Sequence, residues 1–298
     1  FLPEGGEPSL DFLWNKVTEW LKEMLIGSIM GNLTGLFDSV NEQVSEIATT
    51  VGTTPQGWNA GVFSMIQSLS ETVIVPIAGI ILTFVMTYEL IQMIIDRNNM
   101  HDFETFMFFK WIFKTFVAVT IVTNTWNIVM AVFDVAQHVV NNAAGVIVSN
   151  TDMDLSSVVT NMEARLMEME IGPLFSLWFQ SLLVGIISWV LTICIFVIVY
   201  GRMIEIYLVT SIAPIPMATF GNHEQSHMGQ NYLKSLFALG FQGFLIMVCV
   251  GIYAVLIQSV AFSTDIIASL WKVMGFTILL AFTLFKTGAV AHSIFHAH

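Results

Sequence analysis

Apolar and polar positions alternate along this chain in two rhythms, one amphipathic and one continuous. Residues 10–26, LDFLWNKVTEWLKEMLI, put Leu10, Leu13, Trp14, Val17, Trp20, Leu21 and Met24 on one helical face, with Asp11, Lys16, Glu19, Lys22 and Glu23 mostly opposite. That spacing predicts an amphipathic helix lying on a membrane surface or against a partner. Leu33, Phe37, Val40, Val44, Ile47 and Val51 then recur at alternating spacings of four and three, with Asp38, Glu42 and Glu46 outside. This second stretch predicts a short helix–helix seam, with Phe37, Val40, Val44 and Ile47 as the contact to another helix of this subunit or of a partner. The stretch VGTTPQGWNAG ends it.

Beyond that break the rhythm changes to long apolar runs: Val73–Ile95, Met107–Val132, Pro173–Tyr200, Leu236–Phe262 and Leu270–Val290. Each reaches the roughly 20 residues that a helix needs to cross a bilayer. Between the third and fourth lies MIEIYLVTSIAPIPMATF, residues 203–220, which is apolar but holds Glu205, Pro214 and Pro216. Proline removes a backbone donor and clashes with the preceding turn, so this segment is expected to be broken. Broken backbone at membrane depth survives only where protein or a wet cavity surrounds it. A re-entrant or interfacial segment fits that constraint better than a full crossing. The expected fold is therefore an all-α polytopic membrane protein with about five transmembrane helices, one Pro-broken segment and amphipathic N-terminal helices.

Composition agrees with a membrane class. The 298 residues are 55% hydrophobic and only 11% charged, whereas a soluble domain carries about 25% charge. Cys194 and Cys249 both lie inside apolar runs without a CxxC partner, so they read as packing residues rather than a disulfide or thiolate site. The net charge of −12 argues against a large nucleic-acid-binding surface.

Basic residues set the orientation. Five crossings, with the broken segment returning to its own side, leave Arg97, Lys110, Lys114, Arg202, Lys234 and Lys286 on one side. Lys16, Lys22, Arg165 and Lys272 fall on the other. The first side is expected to be cytoplasmic, with the N-terminus outside, the C-terminus inside and a signal peptide removed ahead of Phe1. The chain then divides into an extracytoplasmic helical region (1–72), two spans (73–132), an acidic extracytoplasmic loop (133–172) and a final part (173–298). That final part holds three spans, the broken segment and a cytoplasmic C-terminus.

Charges within the spans are the candidate functional residues: Glu89, Lys110, Lys114, Arg202 and Glu205. At 1.5 Å per residue, Glu89 lies about 10 Å before Asp96 and Lys114 about 15 Å past Glu104. Lys110 is one turn nearer the surface and can snorkel. Lys114 is deep enough to cost roughly 2.5–3.5 kcal/mol unless paired or wet. It is expected either to pair with Glu89 or to face a hydrated lumen.

One motif points elsewhere. His223–His227 reads HEQSH, the H-E-x-x-H spacing that lets two histidines on a helix share zinc while the glutamate activates water. Gly221, Asn222 and Gly229 flank it, and Gln230 and Leu233 stand where an extended zinc motif needs glycine and histidine. The next acid is Asp265, expected on the opposite side. His292, His296 and His298 offer remote ligands from the tail. A solvated polar loop is the better reading, and no catalytic residue, cofactor or metal is expected. Phosphate-binding GxxxxGK[ST] and GxGxxG patterns and the hydrolase GxSxG pattern do not occur.

Several stretches resemble TrbL-like conjugal-transfer proteins, the polytopic membrane subunit of type IV secretion systems, in the branch found on Gram-positive conjugative elements. They are GNLTGLFDSVNEQV, DRNNMHDFETFMFFKWIFKTFVA, TNTWNIVMAVFDVAQHVVNNAAG, YGRMIEIYLVTSIAPIPMATF, GQNYLKSLFALGFQGFLIMVC and TLFKTGAVAHSIF. The resemblance implies a non-enzymatic platform or channel in the cell membrane, acting as a homo-oligomer, a pentamer being one such form. It further implies ATPases and pilin-like subunits as partners, with membrane lipids around the spans and the transferred DNA–protein substrate as a further contact. The rival reading is a secondary transporter or solute channel. That reading would want a second broken segment matching SIAPIPMA, and none is found. An intramembrane zinc protease is the weakest of the three.

Overall fold

The computed structural model describes residues 10–95, 105–151, 156–261 and 266–296. Among them every regular element is helical. In chain order these are α1 (Leu10–Val51), α2 (Pro55–Trp58), α3 (Ala60–Leu69), α4 (Val75–Ile95), α5 (Thr105–Thr123) and α6 (Thr125–Thr151). They continue with α7 (Ser156–Glu168), α8 (Ile171–Ser211), α9 (Pro214–Ala218), α10 (Ser226–Ala261) and α11 (Ile266–Ile294). A π-helical turn, Ser70–Ile74, joins α3 to α4. Five helical stretches are long and apolar enough to cross a membrane: Ala60–Ile95, Phe106–Thr123, Ile171–Gly221, Ser226–Val260 and Ile267–Ile294.

Three boundaries differ from the sequence expectation. The amphipathic stretch and the seam were expected as separate helices, but α1 runs unbroken for 42 residues. Gly27 and Gly31 sit at the expected joint, and each costs about 1 kcal/mol relative to alanine in a helix. Burial of Leu25, Ile26, Ile29, Leu33, Leu36 and Phe37 continues the three-and-four spacing straight across it and outweighs that cost. The expected loop 133–172 is largely helix, because α6 continues to Thr151 and α7 follows. In the expected broken segment 203–220, residues up to Ser211 still belong to α8. The break falls at Ile212 and Ala213, immediately ahead of Pro214. Pro214 opens α9, the helix position where proline's missing N–H removes no bond.

The chain forms two compact units. One contains Phe1–Glu46, Ile147–Ile195 and Cys249–Thr283. Here α1 is tied to α8 by Trp178 Nε1 donating to Ser28 Oγ at 3.0 Å and Asn32 Nδ2 to Ser181 Oγ at 2.9 Å. Gln43 Nε2 adds a bond to Thr192 Oγ1 at 2.8 Å. Tyr253 and Thr277 share a buried hydroxyl bond of 2.9 Å between α10 and α11.

The other unit contains Ile47–Val146, Phe196–Val248 and Leu284–His298. Its main core gathers Val129, Phe133, Met203, Ile206, Tyr207, Ala213, Met217, Leu236 and Leu239. Trp58, at the end of α2, packs on Tyr200 and Tyr207 with centroids 5.6 and 5.8 Å apart. The Tyr207 hydroxyl donates to Pro55 O at 2.5 Å. A second cluster, Ala78, Leu82, Met86, Ala118, Val122 and Ala218, seats α9 on α4 and α5.

Candidate functional site: a polar tie beneath the proline break

The short helix after the break is held from both ends. Ala218 is fully buried against α4 and α5, and the backbone at Gly221 passes so close to α4 that a Cβ would lie 2.5 Å from Met86 Sδ. Only glycine permits that approach without moving Met86. Thr219 Oγ1 donates to Pro216 O at 2.7 Å and accepts from Gly229 N at 3.1 Å, joining α9 to the start of α10.

Asn222 then completes the site. It is fully buried. Its Oδ1 accepts from the amides of Glu224 at 2.8 Å and Gln225 at 3.1 Å, closing the turn. Its Nδ2 donates to Glu89 Oε2 at 2.8 Å and Gln92 Oε1 at 3.1 Å, both on α4. Glu89 turns its other oxygen, Oε1, toward the Lys114 ammonium on α5. One carboxylate thereby neutralises the cation of the neighbouring helix and anchors the connection after α9. Side-chain exposure of 12% for Glu89 and 33% for Lys114 leaves the pair half-screened, so it is worth less than a fully buried one. Trp111 Nε1 donates to Met86 O at 2.9 Å, one turn away, and fixes the same two helices.

Arg202 is placed differently. Its side chain is buried on α8, with Nε donating to Leu239 O at 3.3 Å and Nη2 to Gly240 O at 3.2 Å on α10. A Cβ on Gly243 would lie 3.0 Å from Nη2, so glycine there leaves room for the guanidinium. Glu205, one turn later, is exposed, as is Lys110 on α5.

The HEQSH motif lacks the geometry of a zinc helix. His223, Glu224 and Gln225 form a turn, and α10 begins only at Ser226, so His223 and His227 do not share a helical face. Both histidines and Glu224 are exposed. Among the described residues no three His, Cys, Asp or Glu side chains gather as metal ligands; His298 lies outside those residues. The Glu224 carboxylate accepts from the Tyr88 hydroxyl at 3.5 Å, at the limit of a hydrogen bond.

Of the seam residues, Phe37, Val44 and Ile47 are buried within this chain, the arrangement that the same-subunit alternative calls for. The side chain of Val40 lies outside the described residues. Two residues that sequence reasoning missed, Asn222 and Gly243, are those that shape the two charge sites. Asn222 carried a signal, since asparagine favours turns by accepting from backbone amides two residues on. The carbonyls around Arg202 carried none.

The TrbL/VirB6 plasmid conjugal transfer like protein family matches residues 40–214, more than half of the chain. The chain belongs to this family. TrbL/VirB6 membership makes it a component of type IV secretion and conjugal transfer, and the apolar helices make it an integral membrane protein. The matched stretch holds Glu89, Lys110, Lys114, Arg202 and Glu205 and ends at Pro214, whereas Asn222 and HEQSH lie beyond it. No curated protein and no solved structure matches this TrbL/VirB6 chain.

Proposed function

We propose that this TrbL/VirB6 protein is a homo-oligomeric platform or channel subunit of a conjugative type IV secretion machine, with no reaction of its own to catalyse. Family membership over residues 40–214 is the observation that carries the reading. The site's chemistry supports it: the Glu89–Lys114–Asn222 arrangement spends its polar groups on tying α4, α5 and the connection after α9 together. A scaffold needs rigid ties of that kind between apolar helices.

In this reading, conjugation ATPases dock on the cytoplasmic side and pilin-like subunits assemble against the membrane-embedded part. Lipids fill the exposed apolar faces, and the transferred DNA–protein substrate passes through or beside the oligomer. The C-terminus and the turn at Ser226 lie in the cytoplasm and the first residues lie outside, following the six-to-four division of Lys and Arg.

The experiment is a deletion of the gene in a donor cell, complemented by the full chain carrying an affinity tag. Transfer should fall to background on deletion and return on complementation, with ATPase and pilin-like subunits co-purifying. Restored transfer without those partners, or solute uptake by vesicles holding the purified protein alone, would contradict the platform reading.

A further inference from the structure

α4 and α5 seat α9 along one edge of their contact and leave a groove along the other. Leu82 and Val122, buried and shared with the cluster under α9, lie at its base. Gly79 and Thr83 on α4 and Thr115 and Val119 on α5 line its sides. The groove runs from Val75 to Thr87 on α4 and from Thr123 back to Trp111 on α5. On either helix that is about 18 Å at 1.5 Å per residue. α4 itself covers Val75–Ile95, 21 residues, and so about 30 Å, the thickness of a bilayer's hydrocarbon core. Glu71 before it and Asp96 after it bracket that depth. The groove therefore opens where the hydrocarbon begins, at Val75, and ends just past the midplane. Its length is little more than one leaflet.

Magnitudes decide what can fill it. A volume of about 290 Å³ spread over about 18 Å leaves a cross-section of about 16 Å². A helix with its side chains is about 10–12 Å across, so no helix enters. A hydrocarbon chain, about 4 Å wide at carbon contact distance, does. The surface chemistry agrees. Thr83, Thr87, Thr115 and Thr123 donate their hydroxyls to the carbonyls of Gly79, Thr83, Trp111 and Val119, one turn back. Trp111 Nε1 is spent on Met86 O. Every side-chain donor lining the groove is thus already bonded within the protein. A water there needs two or more polar partners and finds no free donor. A Cβ on Gly79 meets nothing within 4 Å, so helix packing does not demand glycine at this position. Its missing side chain is what keeps the groove open.

We propose that the α4–α5 groove is a lipid-binding site that holds one acyl chain of a phospholipid from the leaflet at the Val75–Thr123 end. That chain stays with the protein while the surrounding lipid exchanges. It joins α5 to α4 on the side that α9 leaves open, and its tip reaches Met86 and Trp111, one turn from the Glu89–Lys114 pair. One copy of the protein suffices for this site, whatever the assembly.

The test uses the full chain in vesicles of phosphatidylethanolamine and phosphatidylglycerol, with a trace of the same lipids carrying a photoactivated diazirine in one acyl chain. Labelled residues are mapped by mass spectrometry. Label at Gly79, Thr83, Thr115 and Val119 should exceed that at Ile80, Phe84, Phe113 and Phe116 about tenfold, although those last four are strongly exposed. A diazirine near the carboxyl end of the chain should label Gly79 and Val119, and one near the terminal methyl should label Met86 and Trp111. Gly79→Leu, which fills the groove, should bring its label down to the level of the exposed face. Phe84→Leu, outside the groove, should leave it unchanged. The mapping on the unaltered chain stands without either variant. Even labelling of the two sets would mean passing lipid only, and the reverse order of the two diazirines would bring the chain from the other leaflet. Unlabelled groove residues, with an assembly that Gly79→Leu splits, would mean that side chains of another copy fill the space. Each of these three results overturns the site.

Discussion

Lys114 and Arg202 are two cations set into apolar helices of the same unit, and the chain accommodates them in opposite ways. Lys114 receives a carboxylate, Glu89, which is itself shared with Asn222. Among the described residues Arg202 donates to the main-chain carbonyls of Leu239 and Gly240, with the exposed Glu205 carboxylate one turn away as its charge partner. The difference follows from the two head groups. An ammonium is a compact point charge that one carboxylate balances, while a guanidinium is a planar, weakly hydrated fork that spreads its donors over fixed acceptors. Removing Lys114 strands a mostly buried anion, but removing Arg202 leaves only the exposed, hydrated Glu205 carboxylate without its cation. The tie around Lys114 therefore belongs to stability, and the Arg202 charge is held at a stability cost that a hydrophobic residue would avoid.

That contrast can be broken most sharply at Glu89 and Lys114. Lys114→Gln and Glu89→Gln should each lower stability by about 2 kcal/mol, below the range for a fully buried pair because Lys114 is partly exposed. The double variant should recover much of the loss. Denaturant titration in a defined detergent reads all three, and purely additive losses would show that the contact carries no coupling. Asn222→Ala comes next, at about 1–2 kcal/mol, since it leaves Glu89 Oε2 and Gln92 without their donor and opens the turn. Protease cleavage between residues 221 and 226 should rise with it; an unchanged cleavage rate would mean that the turn closes without Asn222.

Arg202→Met is the smaller effect and the one that sharpens the comparison. Stability should stay within about 1 kcal/mol of the parent or improve, because a methionine of similar length fills the space beside Gly243. A loss as large as that of Lys114→Gln would remove the distinction between the two sites. The smallest effect belongs to the zinc-like motif. Glu224→Gln and His227→Ala should leave DNA transfer and metal content of the purified protein unchanged, since His223 stands outside the helix that carries His227. Stoichiometric zinc lost with His227→Ala would contradict that.

How much of this was legible depends on whether side chains or backbone carry the information. The long apolar runs forced the helical membrane class, since only helices satisfy their own backbone across lipid over such lengths. Counting residues from Asp96 and Glu104 put Glu89 about 10 Å and Lys114 about 15 Å along adjacent helices, near enough for long side chains to meet, and the structure joins them. The proline pair marked a break but misplaced its start. Proline acts on the turn before it, and α8 carries regular helix past Arg202 and Glu205 to Ser211. The unity of α1 was hidden because the pattern was read in two stretches, 10–26 and from Leu33 on, and only the burial of Ile26 and Ile29 shows one face running through the gap. Arg202 was visible as a charge, but its acceptors are carbonyl oxygens, which every residue has.

The proposed homo-oligomer of this chain is tested most directly by an image of the purified assembly viewed down the membrane normal. The protein is extracted in nanodiscs from cells that carry the rest of the machine. A closed ring of identical copies around a central axis is the expected result. Particles that hold a single copy would contradict it.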